Sequence, residues 1–131
     1  MNNKSKKILS EISPGELIDK ISILEIKLVK IKDEKSLSVI KKEYQSLTET
    51  KKLYINSTEE LEKLINEIKE INLKLWDIED GKRLAEKNNK FDSEFIKLAR
   101  NVYKFNDERA KIKLEINKTL GSNIKEVKSY E

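Results

Sequence analysis

The chain has no cysteine and no histidine in its 131 residues. Without cysteine there is no thiol nucleophile, no thiolate metal site and no disulfide. Without histidine there is no imidazole base or ligand near neutral pH. Any catalysis must therefore use carboxylates, Lys, Arg, Tyr, Ser or Thr, or a cation held by oxygen atoms. Proline occurs once and glycine three times, so little in the composition interrupts long helices. Aromatic residues make up only 6%. No apolar run approaches the ~18 residues of a membrane-crossing helix. Ile8-Leu9 is too short for a signal-peptide core, and the expected compartment is the cytoplasm.

Charge is abundant instead. Charged residues reach 40% and hydrophobic ones 37%, and the net charge is +4 from 28 basic against 24 acidic side chains. Lys dominates the basic set, Arg occurring only at Arg83, Arg100 and Arg109, and coding bias is the plainest explanation. Lys and Glu are interleaved, with Lys4, Lys6 and Lys7 the nearest thing to a basic cluster, so nucleic-acid binding is not expected. The apolar residues recur periodically, which marks a folded chain rather than a disordered one.

Helix signals divide the chain into an arm (1–12), a helical bundle (13–121) and a tail (122–131), with arm and tail expected to be flexible. The arm carries a short apolar patch at Ile8, Leu9 and Ile12. Ser13, Pro14 and Glu16 form an N-cap, a first-turn proline and a capping-box partner. Behind them Leu17, Ile21, Leu24, Leu28 and Ile31 make one helical stripe, widened by Ile18 and Val29, while Ile23 and Ile26 lie toward the far side. A helix apolar nearly all round is central or sits in a subunit interface. Residues 21–31 are also rich enough in Ile and Val for a strand, but the cap and the length favour a helix.

A second stripe, Leu37, Ile40, Tyr44, Leu47, Lys51 and Tyr54, has heptad spacing. An antiparallel hairpin would set Leu28 against Ile40, Leu24 against Tyr44 and Ile21 against Leu47, with Lys51 falling near Glu16. Ser57 and Glu60 form another capping-box pattern, opening a stripe of Leu61, Leu64/Ile65, Ile68, Asn72, Leu75 and Glu79. That helix either ends at Asp80-Gly81 or resumes over 82–87. Asp92 is the N-cap of the last helix, with Phe91 and Ile96 at staple positions. Its stripe is Phe95, Leu98/Ala99, Val102, Asn106, Arg109, Lys113, Ile116 and Leu120, stopped by Gly121. The expected fold is all-α: an antiparallel bundle of about four long helices.

The polar residues inside the last two stripes are the sharpest feature. Pairing the third and fourth helices about Asn88-Asn89 brings Asn72 level with Asn106, and Glu79 level with Ala99. Such groups either form a register-setting polar layer or line a pocket for a small anionic ligand, in which Arg109 would grip a carboxylate or phosphate with its planar fork. Trp76 flanks the stripe beside Asp77 and Asp80, a position typical of core or interface. Glu59-x-x-Glu62 and Asp77-x-x-Asp80 resemble paired-carboxylate magnesium motifs. Both fall on one helix about 15 residues apart, too far to converge on one ion. No metal site, no cofactor and no catalytic residue is assigned.

Two stretches resemble a known family: SPGELIDKISILEIK at 13–27, then LWDIED at 75–80 followed by FDSEFIKLARNVYKFNDERAKIK at 91–113, LGS at 120–122 and KSY at 128–130. The sequence is similar to a domain of unknown function found in small bacterial proteins. The likeness covers most of the chain outside the second helix and the first half of the third. It implies no activity, but its wording includes Glu79, Asp80, Asn106, Asp107 and Arg109. With Trp76, these are the candidate ligand-binding residues. Two functional classes stand. One is a non-enzymatic interaction or scaffold module with a protein partner or as a homodimer through helix one or two. The other is a small helical enzyme or binder of an anionic molecule, with magnesium as an optional companion.

Overall fold

A computed structural model describes residues 7–124, 126 and 127. Lys4 and Lys6 of the arm and the KSY ending lie outside the described residues. Four helices follow in order: α1 Pro14–Lys30, α2 Glu34–Tyr54, α3 Glu59–Lys87 and α4 Ser93–Thr119. No strand occurs among the described residues, so residues 21–30 are helical.

Each helix begins on a side-chain cap that occupies an otherwise unpaired first-turn N–H. Ser13 Oγ accepts from Glu16 N at 3.1 Å, Asp33 from Ser36 N at 2.9 Å, and Asp92 from Glu94 N at 3.2 Å. At α3 the cap is Thr58, which accepts from Leu61 N at 3.1 Å, one residue later than the spacing of Ser57 and Glu60 predicts. Ser57 donates instead to Glu62 at 2.8 Å. The staple is also redrawn. Phe91 and Ile96 are both exposed, and the Phe91 ring meets Phe95 edge-on at 5.2 Å.

Two helices end in the same way. At α3, Lys90 N donates to Ala85 O and Asn89 N to Glu86 O, with Asn89 at φ 53°. At α4, Ser122 N donates to Asn117 O and Gly121 N to Lys118 O, with Gly121 at φ 63°. Both are Schellman motifs, in which one left-handed residue closes the last turn. Gly81 ends nothing, and α3 runs through it to Lys87.

α1 packs against α2, α3 and α4, whereas α2 packs only against α1. Most of the apolar surface of α1 is thus answered inside the chain, with Val29 left exposed. Tyr44 of α2 donates to Glu25 of α1 at 3.2 Å, within one residue of the register expected for that hairpin. In the α3–α4 hairpin, Gly81 faces Leu98 and Lys74 Nζ lies 5.3 Å from the centre of the Phe105 ring. Contacts run in opposite directions along those two helices, as an antiparallel pair requires. α1 lies along this hairpin. Ile18, Leu61, Ile68 and Ile116 form the fully buried centre, with Ile55, Leu64, Ile65, Ile112 and Leu120 packed around it.

Two glycines sit at helix crossings of different tightness. A Cβ on Gly15 would lie 2.5 Å from Lys113 O and 2.8 Å from Asn117 Oδ1, so α1 and α4 would have to separate. A Cβ on Gly81 would meet only the Leu98 side chain, with the nearest methyl at 3.1 Å. Gly15→Ala should therefore cost about 1–3 kcal/mol, as overpacking does. Gly81→Ala should be neutral or stabilising by up to about 1 kcal/mol, because it gains helix propensity against a side chain that can turn aside. Urea unfolding followed by circular dichroism checks both, and equal losses at the two positions would refute the distinction.

Candidate functional site

The polar residues of α4 do not face one another across α3 alone. They converge on α1. Asp19 is only 1% exposed, in the middle of α1. A carboxylate that deep requires partners. Arg109 supplies two, donating from Nε to Asp19 Oδ1 at 2.9 Å and from a terminal nitrogen to Asp19 Oδ2. Asn72 Nδ2 also donates to Asp19 Oδ1, at 2.9 Å, and to Ser22 Oγ at 2.7 Å. Ser22 in turn donates to the Asp19 carbonyl at 2.8 Å. The Asp19 bonds push the Arg109 guanidinium still further above its ordinary value, outweighing its burial.

One turn toward the start of α1 lies a second polar layer. Lys113 Nζ is 2.6 Å from Glu16 Oε2 and 3.0 Å from Glu126 Oε2 in the tail. Glu16 thus pairs with Lys113, and at 3.8 Å with Lys20, rather than with the Lys51 that the α1–α2 register brings to this end. Ser13 Oγ donates to Glu126 Oε1. Asn117 Oδ1 accepts from Gly15 N at 2.7 Å. Its Nδ2 is buried with no partner at hydrogen-bond distance, although it lies near enough to Glu126 to favour that group's charge.

Of the expected site residues, Trp76, Glu79, Asp80, Asn106 and Arg109 are brought together. With Ile23, Asn72, Leu75, Arg83 and Val102 they line a cleft of about 350 Å³. Asp107 does not line it. Asn106 and Arg109 also border a second cleft, about 410 Å³, closed by Lys113, Glu126 and Val127. In the first cleft Trp76 is half-buried, and Glu79 is held by Lys82 at 3.4 Å. The Arg109 fork, expected to grip an anionic ligand, is engaged by Asp19. Its remaining nitrogen points to Asn106 Oδ1 at 3.5 Å. Among the described residues no group of three acidic side chains converges as a metal site would require. None of the helices is long and apolar enough to cross a membrane.

The sequence reading missed Asp19, Ser22, Asn117 and Glu126. A signal for the first two existed. Gly15, Asp19 and Ser22 follow one another at helical spacing along α1 and interrupt its apolar surface with one small and two polar residues. Nothing in local spacing marks Asn117 or Glu126, whose partners on α1, Gly15 and Ser13, lie 102 and 113 residues away.

Fold and seam together define a small all-α protein with one α-helix held in a helical hairpin by buried ionic and amide bonds. The chain belongs to a family of unknown function (DUF6165), whose match spans residues 8–131. No curated protein and no solved structure matches it.

Two outcomes follow from the seam. Removing one member of a buried ion pair leaves the other uncompensated, so Arg109→Ala should cost about 3–5 kcal/mol. The double variant Asp19→Ala/Arg109→Ala should fall short of the summed single losses by about 0.5–3 kcal/mol, read from a denaturant double-mutant cycle. Additive losses would mean the two side chains are not coupled.

The tail contact should depend on pH. Burial opposes the Glu126 charge, but bonds from Ser13 and Lys113, the Lys113 charge and the Asn117 amide outweigh it and hold the carboxyl below its ordinary 4.5. Burial likewise opposes the Lys113 ammonium, and Glu16 and Glu126 overcome it, raising that group above 10.5. Glu16, its second partner Lys20, and Arg109 are further charges near this pair. A depressed carboxyl contributes stability that is complete above its unfolded value and lost as pH falls through the folded one. The stability gap between the native chain and Glu126→Gln should hold steady across neutral pH and close below about pH 4.5. A gap that widened in acid would contradict the assignment.

Proposed function

We propose that this protein is a non-enzymatic interaction or scaffold module. The observation that carries this reading is the engagement of the buried polar side chains by one another. Arg109, Asp19, Asn72 and Ser22 complete each other's bonds, as a layer that fixes helix register does. Surface features support docking of a protein partner. α2 uses one face on α1 and leaves Val39, Leu53 and Tyr54 exposed, while the end of the α3–α4 hairpin exposes Leu84, Phe91 and Ile96. A homodimer, if formed, would use α2, since α1 is covered by three helices.

A second reading rests on the cleft beside Trp76. It has the size of a small-molecule site and mixes an indole and apolar walls with Glu79, Asp80 and Arg83. In that reading the protein binds a small molecule through those side chains, with Arg109 as a support.

A thermal-shift screen of the native chain against magnesium, nucleotides and small carboxylates separates the two. A ligand at ~100 times its dissociation constant adds ~2.7 kcal/mol and raises the melting temperature by several degrees. The interaction reading expects no shift that depends on Trp76. A shift that disappears in Trp76→Ala would overturn it in favour of the ligand site.

A further inference from the structure

We propose that the start of α1 and the end of α4 form a carboxylate-binding seat, and that Glu126 of the tail is its built-in, displaceable occupant. The proposal does not depend on the role suggested above.

Two donors meet at the Glu126 carboxylate, and a third polar group lies beside them. Ser13 Oγ donates to Oε1, Lys113 Nζ lies 3.0 Å from Oε2, and the buried Asn117 amide helps to keep the carboxyl charged. Each donor is aimed by a bond in which the tail takes no part. The Ser13 hydroxyl accepts from Glu16 N at 3.1 Å, which leaves its single hydrogen to point outward. Asn117 is held through Oδ1 by Gly15 N at 2.7 Å, which fixes where its amide hydrogens lie. Lys113 is anchored by Glu16 at 2.6 Å. Helices α1 and α4 thus build the seat, and only its occupant comes from the tail.

Asn117 is the observation that separates this place from an ordinary helix start. It is 4% exposed, yet Nδ2 has no partner within hydrogen-bond reach. Glu126 lies close but does not complete that bond, so the seat holds a donor its own occupant leaves unmet. A buried donor of this kind favours any acceptor that reaches it better.

Charge sets the ligand class. Lys113 is balanced by Glu16 and Arg109 by Asp19. Once Glu126 is lifted out, the seat has the partial positive charge of the α1 terminus and, with Lys20 also beside Glu16, about one net positive side-chain charge. That suits a single carboxylate better than a doubly charged phosphate. Beside it the cleft of about 410 Å³, bordered by Ala110, Lys111 and Leu114, has room for the rest of a small acid or an acidic side chain. Among the described residues the occupant is held through its side chain, and its neighbour Val127 is 91% exposed.

The test uses the full chain and its Glu126→Ala variant. The probes are sodium propionate, which matches a glutamate side chain, and a synthetic peptide of residues 122–131. Binding is followed through the side-chain amide resonances of Asn117. A tethered occupant competes at millimolar effective concentration, so the variant should bind at least about tenfold more tightly than the native chain. The peptide carrying Glu126→Ala should not bind. Response to propionate as well as peptide identifies a seat open to small acids, and response to the peptide alone identifies one for polypeptide carboxylates. Equal response in variant and native chain, or none in the variant, overturns the proposal.

Discussion

The bond between Asp19 and Arg109 is the constraint on which the arrangement of the other helices depends. A carboxylate that is 1% exposed at the middle of a helix is tolerated only where a cation and further donors meet it. Arg109 meets it from α4 and Asn72 from α3, so one side chain of α1 fixes the height of two other helices. Replacing such a pair by apolar residues often leaves stability unchanged, so its worth lies in the alternatives it excludes. Sliding or rotating α1 would break the two-nitrogen bond from Arg109 and leave buried charges without their partners. α2 has no share in this layer and packs against α1 alone.

The same interface explains the first turn of α1. The polar seam continues from Asp19 to Glu16 and Lys113, then to Gly15 and Asn117. An amide accepting from a backbone N–H demands close approach, and Gly15 is where it occurs. Glycine at the second helical position costs some helix propensity. Here it lets α4 satisfy an N–H that the helix itself cannot. The apolar cluster of Ile18, Leu61, Ile68 and Ile116 lies beside the seam, so burial supplies cohesion while the seam supplies position.

The local parts of this structure were legible in the sequence, the distant ones less so. Ser13, Asp92 and Gly121 act within four residues of themselves, and their spacing announces caps and a stop that the backbone adopts. The two hairpin registers follow because matching stripes on neighbouring helices leave few alternatives. Thr58 displaced Ser57 as a cap because two hydroxyls stand side by side, and spacing cannot rank them. α3 passes through Gly81 since the lost propensity, roughly 1 kcal/mol, is small beside the packing of a long hairpin. Asp19 escaped notice for a different reason. Periodicity rewards apolar residues and assigns an isolated acid to solvent, and the arginine that contradicts this lies 90 residues away. The polar stripe of α4 said that partners must exist, without saying on which helix.

That misplacement bears on function. With Asp19 out of view, Arg109 looked free to hold a ligand's carboxylate, whereas its two-nitrogen grip closes on a carboxylate of the chain itself. One fork cannot serve both without breaking the layer that positions α1. The cleft residues that do not serve the layer, Trp76, Glu79, Asp80 and Arg83, can change partner without that penalty. In the functions proposed above, fold specification and molecular recognition would therefore fall to different side chains of this bundle. Recognition belongs where groups are exposed, or where, as at Glu126, the occupant is held by its side chain and can leave without unfolding a helix.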